Sequence, residues 1–395
     1  MKNMFELLNE LSEKLTEMNI PFAIRNSGGA RRLYYPTTTG YRYCVKQYGE
    51  EEDKISLHSS GNVWMADYYN IQEVVNILQE HYDYVNSDAH YVDDEIGRLV
   101  HFNRECSHLS EAARNLNLLA LQGKLSRAYG RQSEAEQIMR IMLRKTKPNA
   151  LLVGQAGCGK TAIVEELAFI INEARLAYVK AKEQKKEDIE IPLFLDTIIY
   201  DLDISAFTAN TKYRGEFEEK VRDIITETRN HPNIILFIDE VHQLNTIGSA
   251  EGTSGLGQLL KPALARGDVH CIGATTDDEL RHITEDKALT RRFNKVRVLP
   301  LTGAVAIDAC EKITKDYEAY HKVSVNKAVD ISTLFQLSQS KLKATAFPDN
   351  FINLIDETLA TARFNGLTEV DMADFEATIT ELVGADIVSV KFGFC

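Results

Sequence analysis

GQAGCGKT, residues 154–161, fits the pattern GxxxxGK[ST], follows the apolar run NALLV and opens the helical run AIVEELAFII. Each part of such a loop has a chemical task. Small residues at Gly154, Ala156, Gly157 and Gly159, with Gln155 and Cys158 between them, let backbone N–H groups fold around phosphates. Lys160 places a cation on the β and γ phosphates, and the Thr161 hydroxyl can hold Mg²⁺. Read blandly, the same run is a glycine-rich turn that caps a helix. A second stretch, NIILFIDE at 233–240, ends an apolar strand in two adjacent carboxylates. At the carboxyl end of a parallel strand Asp239 falls beside the phosphates and orients the Mg²⁺ shell, while Glu240 is placed to polarise a water for attack on the γ phosphate. Alone, a DE pair is more often a strand-end turn or helix cap; behind a phosphate loop it separates hydrolysis from mere binding. VHCIGATT, 269–276, ends in hydroxyls, and Thr275 or Thr276 could bond the attacking water or the γ phosphate; a plain β-branched strand end is the alternative. TRRF, 290–293, sets Arg291 beside Arg292. Adjacent arginines are usually solvated surface, but phosphoryl transfer also needs a cation on the transferring group, often supplied by a neighbouring subunit.

These residues act together only if strand ends and a helix start converge. Between residues 149 and 300 the runs NALLVG, TIIYDLDIS, NIILFIDE and VHCIGATT, with RVLPL as a possible last strand, alternate with longer amphipathic stretches. Continuous apolar strands, each followed by a helical stretch, predict a parallel sheet covered on both faces, a doubly wound α/β domain over 106–300. Beyond Pro300 the strand signals vanish and helical periodicity returns, which predicts an all-α domain over 301–383 and a loose tail over 384–395. Residues 1–105 read as a small α+β domain of unassigned role: a leading helix, strands in PFAIRN, YRYCVKQ, KISLHS and VWMAD, and a helix near 70–82. From about 108 to 145 the pattern is helical, broken at GKLSRAYGR. VKAKEQKKEDIE, 179–190, reads as a charged helix end and loop.

The whole composition limits partners. With a net charge of −13 over 395 residues, the surface repels nucleic acid and acidic membranes unless a local basic patch overrides its field. Six cysteines without CxxC pairing argue against a disulfide framework or a zinc site and for a reduced, cytoplasmic compartment. No stretch reaches the length of an apolar membrane span, and MKNMFELLNELSEKL alternates apolar residues with charges instead of forming a signal-peptide core.

One further tip stands out. TKYRGEFEEK, 211–220, gathers Lys212, Tyr213, Arg214 and Gly215 just before an acidic helical run; by composition it is a surface turn. Taken in order, GKLSRAYGR, GQAGCGKTAIVEELA, TKYRGEFEEK, ILFIDEVHQL, LLKPALARGDVHCIGATTDDELR, ALTRRF and FPDNFINLIDE resemble the linker, the first ATPase module and the small helical lid of the Clp unfoldases, the AAA+ proteins of ClpA, ClpB and ClpC type. The resemblance covers about 115–365.

It implies a large P-loop AAA+ domain with a helical lid, assembled as a homo-oligomeric ring, commonly a hexamer, with ATP and Mg²⁺ bound between neighbours. Carried onto this chain, Lys160 and Thr161 grip phosphate and Mg²⁺, Asp239 and Glu240 form the hydrolytic pair, and Thr276 senses the γ phosphate. Arg291 and Arg292 become arginine fingers, Ala128 and Tyr129 back the adenine, and the segment Lys212–Gly215 becomes a pore loop whose Tyr213 grips a threaded polypeptide. The chain departs from the pattern in places. It shows one ATPase module and no coiled-coil middle domain; the linker positions of Ala128 and Tyr129 are usually apolar. The lid has Asn350 where a lysine is common, with Arg363 as the nearest later cation. Residues 1–100 match no Clp N-terminal domain. VKFGFC, 390–395, echoes the hydrophobic-Gly-hydrophobic tripeptide that docks a peptidase, which the family carries elsewhere. Two readings compete with a polypeptide-remodelling ring: an AAA+ ATPase acting on nucleic acid, which the acidic chain fits poorly, and a nucleotide-switched adaptor of a partner ring.

Overall fold

The computed structural model describes residues 6–27, 30–35, 43–48, 54–59, 64–68, 70–86, 89–184, 189–203, 214–245, 256–285 and 291–392. The chain forms two units, Met1–Asp94 and Glu95–Cys395. In the first, helix α1 (Glu6–Glu17) precedes five strands, β1 (Ala23–Ser27), β2 (Ala30–Tyr35), β3 (Tyr43–Tyr48), β4 (Ile55–Ser59) and β5 (Trp64–Tyr68), and helix α2 (Ile71–Asn86) follows. The strands pair in chain order, all antiparallel. Period 2 puts the register mates Leu33, Val45 and Leu57 on one face, and period 3.6 puts Leu8, Leu11 and Leu15 on one stripe of α1; the two meet in a single core with Val74 and Leu78. Strand β2 is absent from the sequence reading because Arg31 and Arg32 break its apolar alternation.

The second unit opens with α3 (Ala89–Glu105, which begins before the division), α4 (Ser107–Ala112), β6 (Ala113–Asn115), α5 (Leu116–Leu121) and α6 (Gln132–Met142). Strands β7 (Ala150–Val153), β8 (Ile198–Leu202), β9 (Ile234–Ile238), β10 (His270–Thr275) and β11 (Asn294–Arg297) then alternate with α7 (Lys160–Glu183), α8 (Arg214–Asn230), α9 (Leu256–Arg266) and α10 (Leu280–Glu285). The sheet order is β11-β7-β10-β9-β8-β6. Leu151 and Val153 enter one core while Ala150 and Leu152 enter another; Leu236 and Phe237 divide in the same way. Two buried faces explain why these strands read as unbroken apolar runs. The sheet is mixed, mostly parallel: β6 pairs antiparallel with β8, a three-residue strand, ARN, within a stretch that reads as helical. The last strand is NKVR, just ahead of the expected RVLPL.

The lid holds α11 (Gly303–His321), α12 (Ile331–Lys341), α13 (Asp349–Phe364) and α14 (Met372–Phe392) around Phe347, Phe351, Leu354 and Phe375. It is not wholly helical: β12 (Ser324–Val325) and β13 (Glu369–Val370) pair in parallel over two residues each, too short to leave a pattern. Where the sequence suggests a loose tail from about 384, α14 continues to Phe392. Among the described residues no helix is long and apolar enough to cross a membrane.

Candidate functional site

The phosphate loop joins β7 to α7. A Cβ on Gly154 would lie 2.3 Å from the Val298 carbonyl oxygen, so only glycine fits where the chain leaves the sheet. Gly159, at φ 88, sits at the N-cap of α7 in the left-handed region that side chains disfavour. The lid is stitched to this loop: the Ala346 N–H donates to the Ala156 carbonyl (3.1 Å) and the Asp349 N–H to the Gly157 carbonyl (3.3 Å). Lys160 Nζ donates to the carbonyls of Gly154 (3.0 Å) and Gln155 (2.9 Å). Cys158 is buried, and Ala156, Gly157 and Gly159 line a cleft of about 480 Å³.

Strand β9 ends at this cleft. The Thr161 hydroxyl donates to Asp239 Oδ2 at 2.6 Å, and Asp239 Oδ1 accepts from the Glu240 N–H at 2.9 Å. Glu240 is exposed in the cleft at φ 50, a left-handed backbone for a residue with a Cβ, and the Gln243 amide donates to its Oε2. At the end of β10, Thr275 is 1% exposed, and its hydroxyl has no hydrogen-bond partner among the described residues. Thr276 also lines the cleft, but its hydroxyl donates to Glu279 Oε2 (2.7 Å) and accepts from the Glu279 N–H (3.3 Å), a reciprocal box at a helix start. Burial raises the Glu279 carboxyl, but the Thr276 hydroxyl, His242 at 3.3 Å and Lys160 outweigh it and hold the group below its ordinary range. Five carboxylates, of Glu165, Asp239, Glu240, Glu279 and Asp349, line the cleft, with Lys160 its one cation among the described residues. Burial pushes the Glu165 carboxyl up, against the Arg114 charge, which lowers it, and with that of Asp201.

A smaller cavity, about 130 Å³, adjoins the cleft through Gly159, Ala162, Glu165, Pro348 and Ile352. The linker residues Ala128 and Tyr129 line it, as do Ile313, Asp316 and Phe347 of the lid. Ala128 is fixed by its N–H to Glu166 Oε2 (2.9 Å), and Arg127 clamps the same carboxylate at 2.6 Å, 2% exposed on α7. Tyr129 reaches the lid, where its hydroxyl donates to Asp316 Oδ2 at 2.7 Å.

The structure therefore brings Lys160, Thr161, Asp239, Glu240, Thr275 and Thr276 to one cleft, with Ala128 and Tyr129 beside it. Arg291 is exposed and Arg292 half-buried, in a turn before β11, and neither lines the cleft. Arg363 does not line it either, since its Nη1 faces the Tyr320 carbonyl at 3.4 Å; Asn350 is buried, bonded to Gln339 and Leu342. Lys212 and Tyr213 lie outside the described residues, while Arg214 and Gly215 are the first residues of α8. Sequence reasoning misses Glu279, although T-x-x-E before a helix signals a capping box, and misses Asp316 and Asp349, which no local pattern connects with the phosphate loop.

Residues 150–301 match the ATPase family associated with various cellular activities (AAA), and residues 302–386 match the AAA lid domain. Among curated relatives, a probable ATP-dependent Clp protease ATP-binding subunit of Chlamydia pneumoniae is 38% identical over 281 residues, 70% of this chain and 31% of that protein. Chaperone protein ClpB of Staphylococcus aureus is 34% identical over 337 residues, 80% of this chain and 37% of that protein. Chaperone protein ClpC2, chloroplastic, of Arabidopsis thaliana is 41% identical over 262 residues, 66% of this chain and 26% of that protein. The chain thus spans about a third of the length of these relatives. A closed-state reconstruction of Hsp104 with ATPγS and FITC casein superimposes with a TM-score of 0.60 at 32% identity, over 70% of this chain and 45% of that one. The phosphate loop, the acidic strand end and the stitched lid, together with these matches, place the chain in the AAA+ ATPases of the Clp/Hsp100 family.

Proposed function

We propose that this chain hydrolyses ATP within a homo-oligomeric ring, a hexamer in the leading reading, and uses the cycle to thread or remodel polypeptide. The observation that carries it is the cleft itself, where Thr161, Asp239 and Glu240 converge beside Lys160. The Thr161 hydroxyl and the Asp239 carboxylate are hard oxygen donors side by side, the chemistry that suits Mg²⁺, and a bound Mg²⁺ would offset phosphate charge there. Lys160 holds the β and γ phosphates, Glu240 takes the proton of the attacking water, and Thr276 reports on the γ phosphate through its bond to Glu279.

Among the described residues five carboxylates face one ammonium in the cleft, so a polyphosphate there calls for further positive charge, in this reading from a metal and from a neighbouring subunit. Arg291 and Arg292, off that cleft, are assigned as fingers to a neighbour's nucleotide. Hsp104 is held with casein in the similar solved structures, and this likeness, with the KYRG tip, supports polypeptide as the substrate. A tyrosine ring and aliphatic stems contact any sequence, as a translocating grip requires. The test is Tyr213→Ala: ATP hydrolysis persists while remodelling of an unfolded protein fails. Unchanged remodelling would remove the pore-loop assignment, and stimulation by DNA or RNA in place of polypeptide would favour an ATPase acting on nucleic acid.

A further inference from the structure

Three side-chain hydroxyls line the phosphate cleft among the described residues, those of Thr161, Thr275 and Thr276. Two have committed their protons: Thr161 to Asp239 Oδ2 at 2.6 Å and Thr276 to Glu279 Oε2 at 2.7 Å. Thr275 has not. It is 1% exposed, and its hydroxyl meets no partner among the described residues. A buried hydroxyl with nothing to bond costs the fold free energy that a valine of the same shape does not. Strand propensity does not account for the oxygen either, because valine is as good a strand residue.

The register shows where this hydroxyl lies. Strand β10 runs between β7 and β9. On one side Thr275 pairs with Val153, the last residue of β7, and its carbonyl accepts from the Gly154 N–H at 3.4 Å as the phosphate loop begins. On the other side Gly273 pairs with Ile238, so Thr275, two residues on, stands level with Glu240. Gly273 and Thr275 share a face of the sheet by the strand's period of two. On that face the turn after Glu240 packs so closely that a Cβ on Gly273 would lie 3.1 Å from Val241 Cγ1. The unbonded hydroxyl therefore stands between the start of the phosphate loop and the carboxylate assigned as base.

We propose that Thr275 is a further catalytic residue, whose hydroxyl ties the attacking water to a γ-phosphate oxygen. The proposal rests on the nucleotide reading above and deepens it. In the step, the water oxygen bonds to the γ phosphorus while the bond from that phosphorus to the β,γ-bridging oxygen breaks, its electron pair leaving on ADP. One water proton passes to Glu240. The second stays on the oxygen and is accepted in a hydrogen bond by Thr275 Oγ1, which donates its own proton in a hydrogen bond to the γ phosphate. Thr276 would first have to give up its bond to Glu279; Thr275 has no bond to break.

The test compares the full wild-type chain with Thr275→Val and Thr275→Ser in thermal unfolding without nucleotide, equilibrium binding of ATP, and phosphate release. Thr275→Val unfolds at the same temperature as the wild type or a higher one, since it sheds an unpaired polar group. It binds ATP within about threefold of the wild type and turns over about 10- to 100-fold more slowly. Thr275→Ser keeps a hydroxyl and recovers most of the turnover. Full turnover by Thr275→Val overturns the role, and so does a fall in its unfolding temperature in step with the lost turnover, which makes the hydroxyl a structural group. In both cases phosphate release by the wild type leaves the nucleotide reading standing. A wild type that releases no phosphate from ATP overturns that reading together with the proposal.

Discussion

Glu240 carries a backbone that a residue with a side chain seldom adopts, held by Asp239 on one side and Gln243 on the other. Such strain costs about 1 kcal/mol or more and persists where the surroundings fix it, here at the acidic strand end that lines the cleft. Glu240→Gln keeps the shape and removes the proposed base: phosphate release should fall about 10²- to 10⁴-fold, with nucleotide affinity retained in equilibrium binding. Equal loss of binding and turnover would make Glu240 a structural residue. The cysteines are governed by burial instead. Cys44, Cys106, Cys158, Cys271 and Cys310 are free and buried, and burial pushes Cys271 and Cys310 up to about 12. Iodoacetamide at pH 8, followed by mass spectrometry, should therefore leave these five unmodified in the native chain and label them after denaturation.

The lid is the element on which both pockets depend. Phe351, fully buried, packs among Phe347 and Leu354 at the start of the helix that also brings Ile352 to the cleft. Phe351→Ala should destabilise the lid by about 3–5 kcal/mol, seen in thermal unfolding, and weaken nucleotide binding with it. The loop and the acidic strand end are legible in the sequence because their chemistry is local: a helix start and a strand end each advertise themselves within eight residues. What the lid adds is not legible. Asp349 and Asp316 reach the site by tertiary folding, and neither has a partner nearby in sequence to mark it. Local composition hides β2, whose arginines mask its period, and length hides β6, which has three residues. The end of α14 is missed for a different reason, since its apolar composition fits a helix and a sticky tail equally.

At the scale of the whole molecule, the cleft's charge is the argument for assembly. If Arg291 and Arg292 complete a neighbour's site, Arg291→Ala/Arg292→Ala leaves nucleotide affinity nearly unchanged and lowers turnover about 10³-fold or more, with ring formation checked by sedimentation. Retained turnover would leave both as surface residues. The net charge of −13 works against a polyanion and favours polypeptide as the load in the reading proposed for the KYRG tip. The most direct measurement is therefore to capture substrates with the Glu240→Gln chain, which holds nucleotide without turnover, and to identify what co-purifies in ATP and is released in its absence. Polypeptides, lost when Tyr213→Ala is added, are the predicted result; nucleic acid bound in the same nucleotide-dependent way would contradict the account.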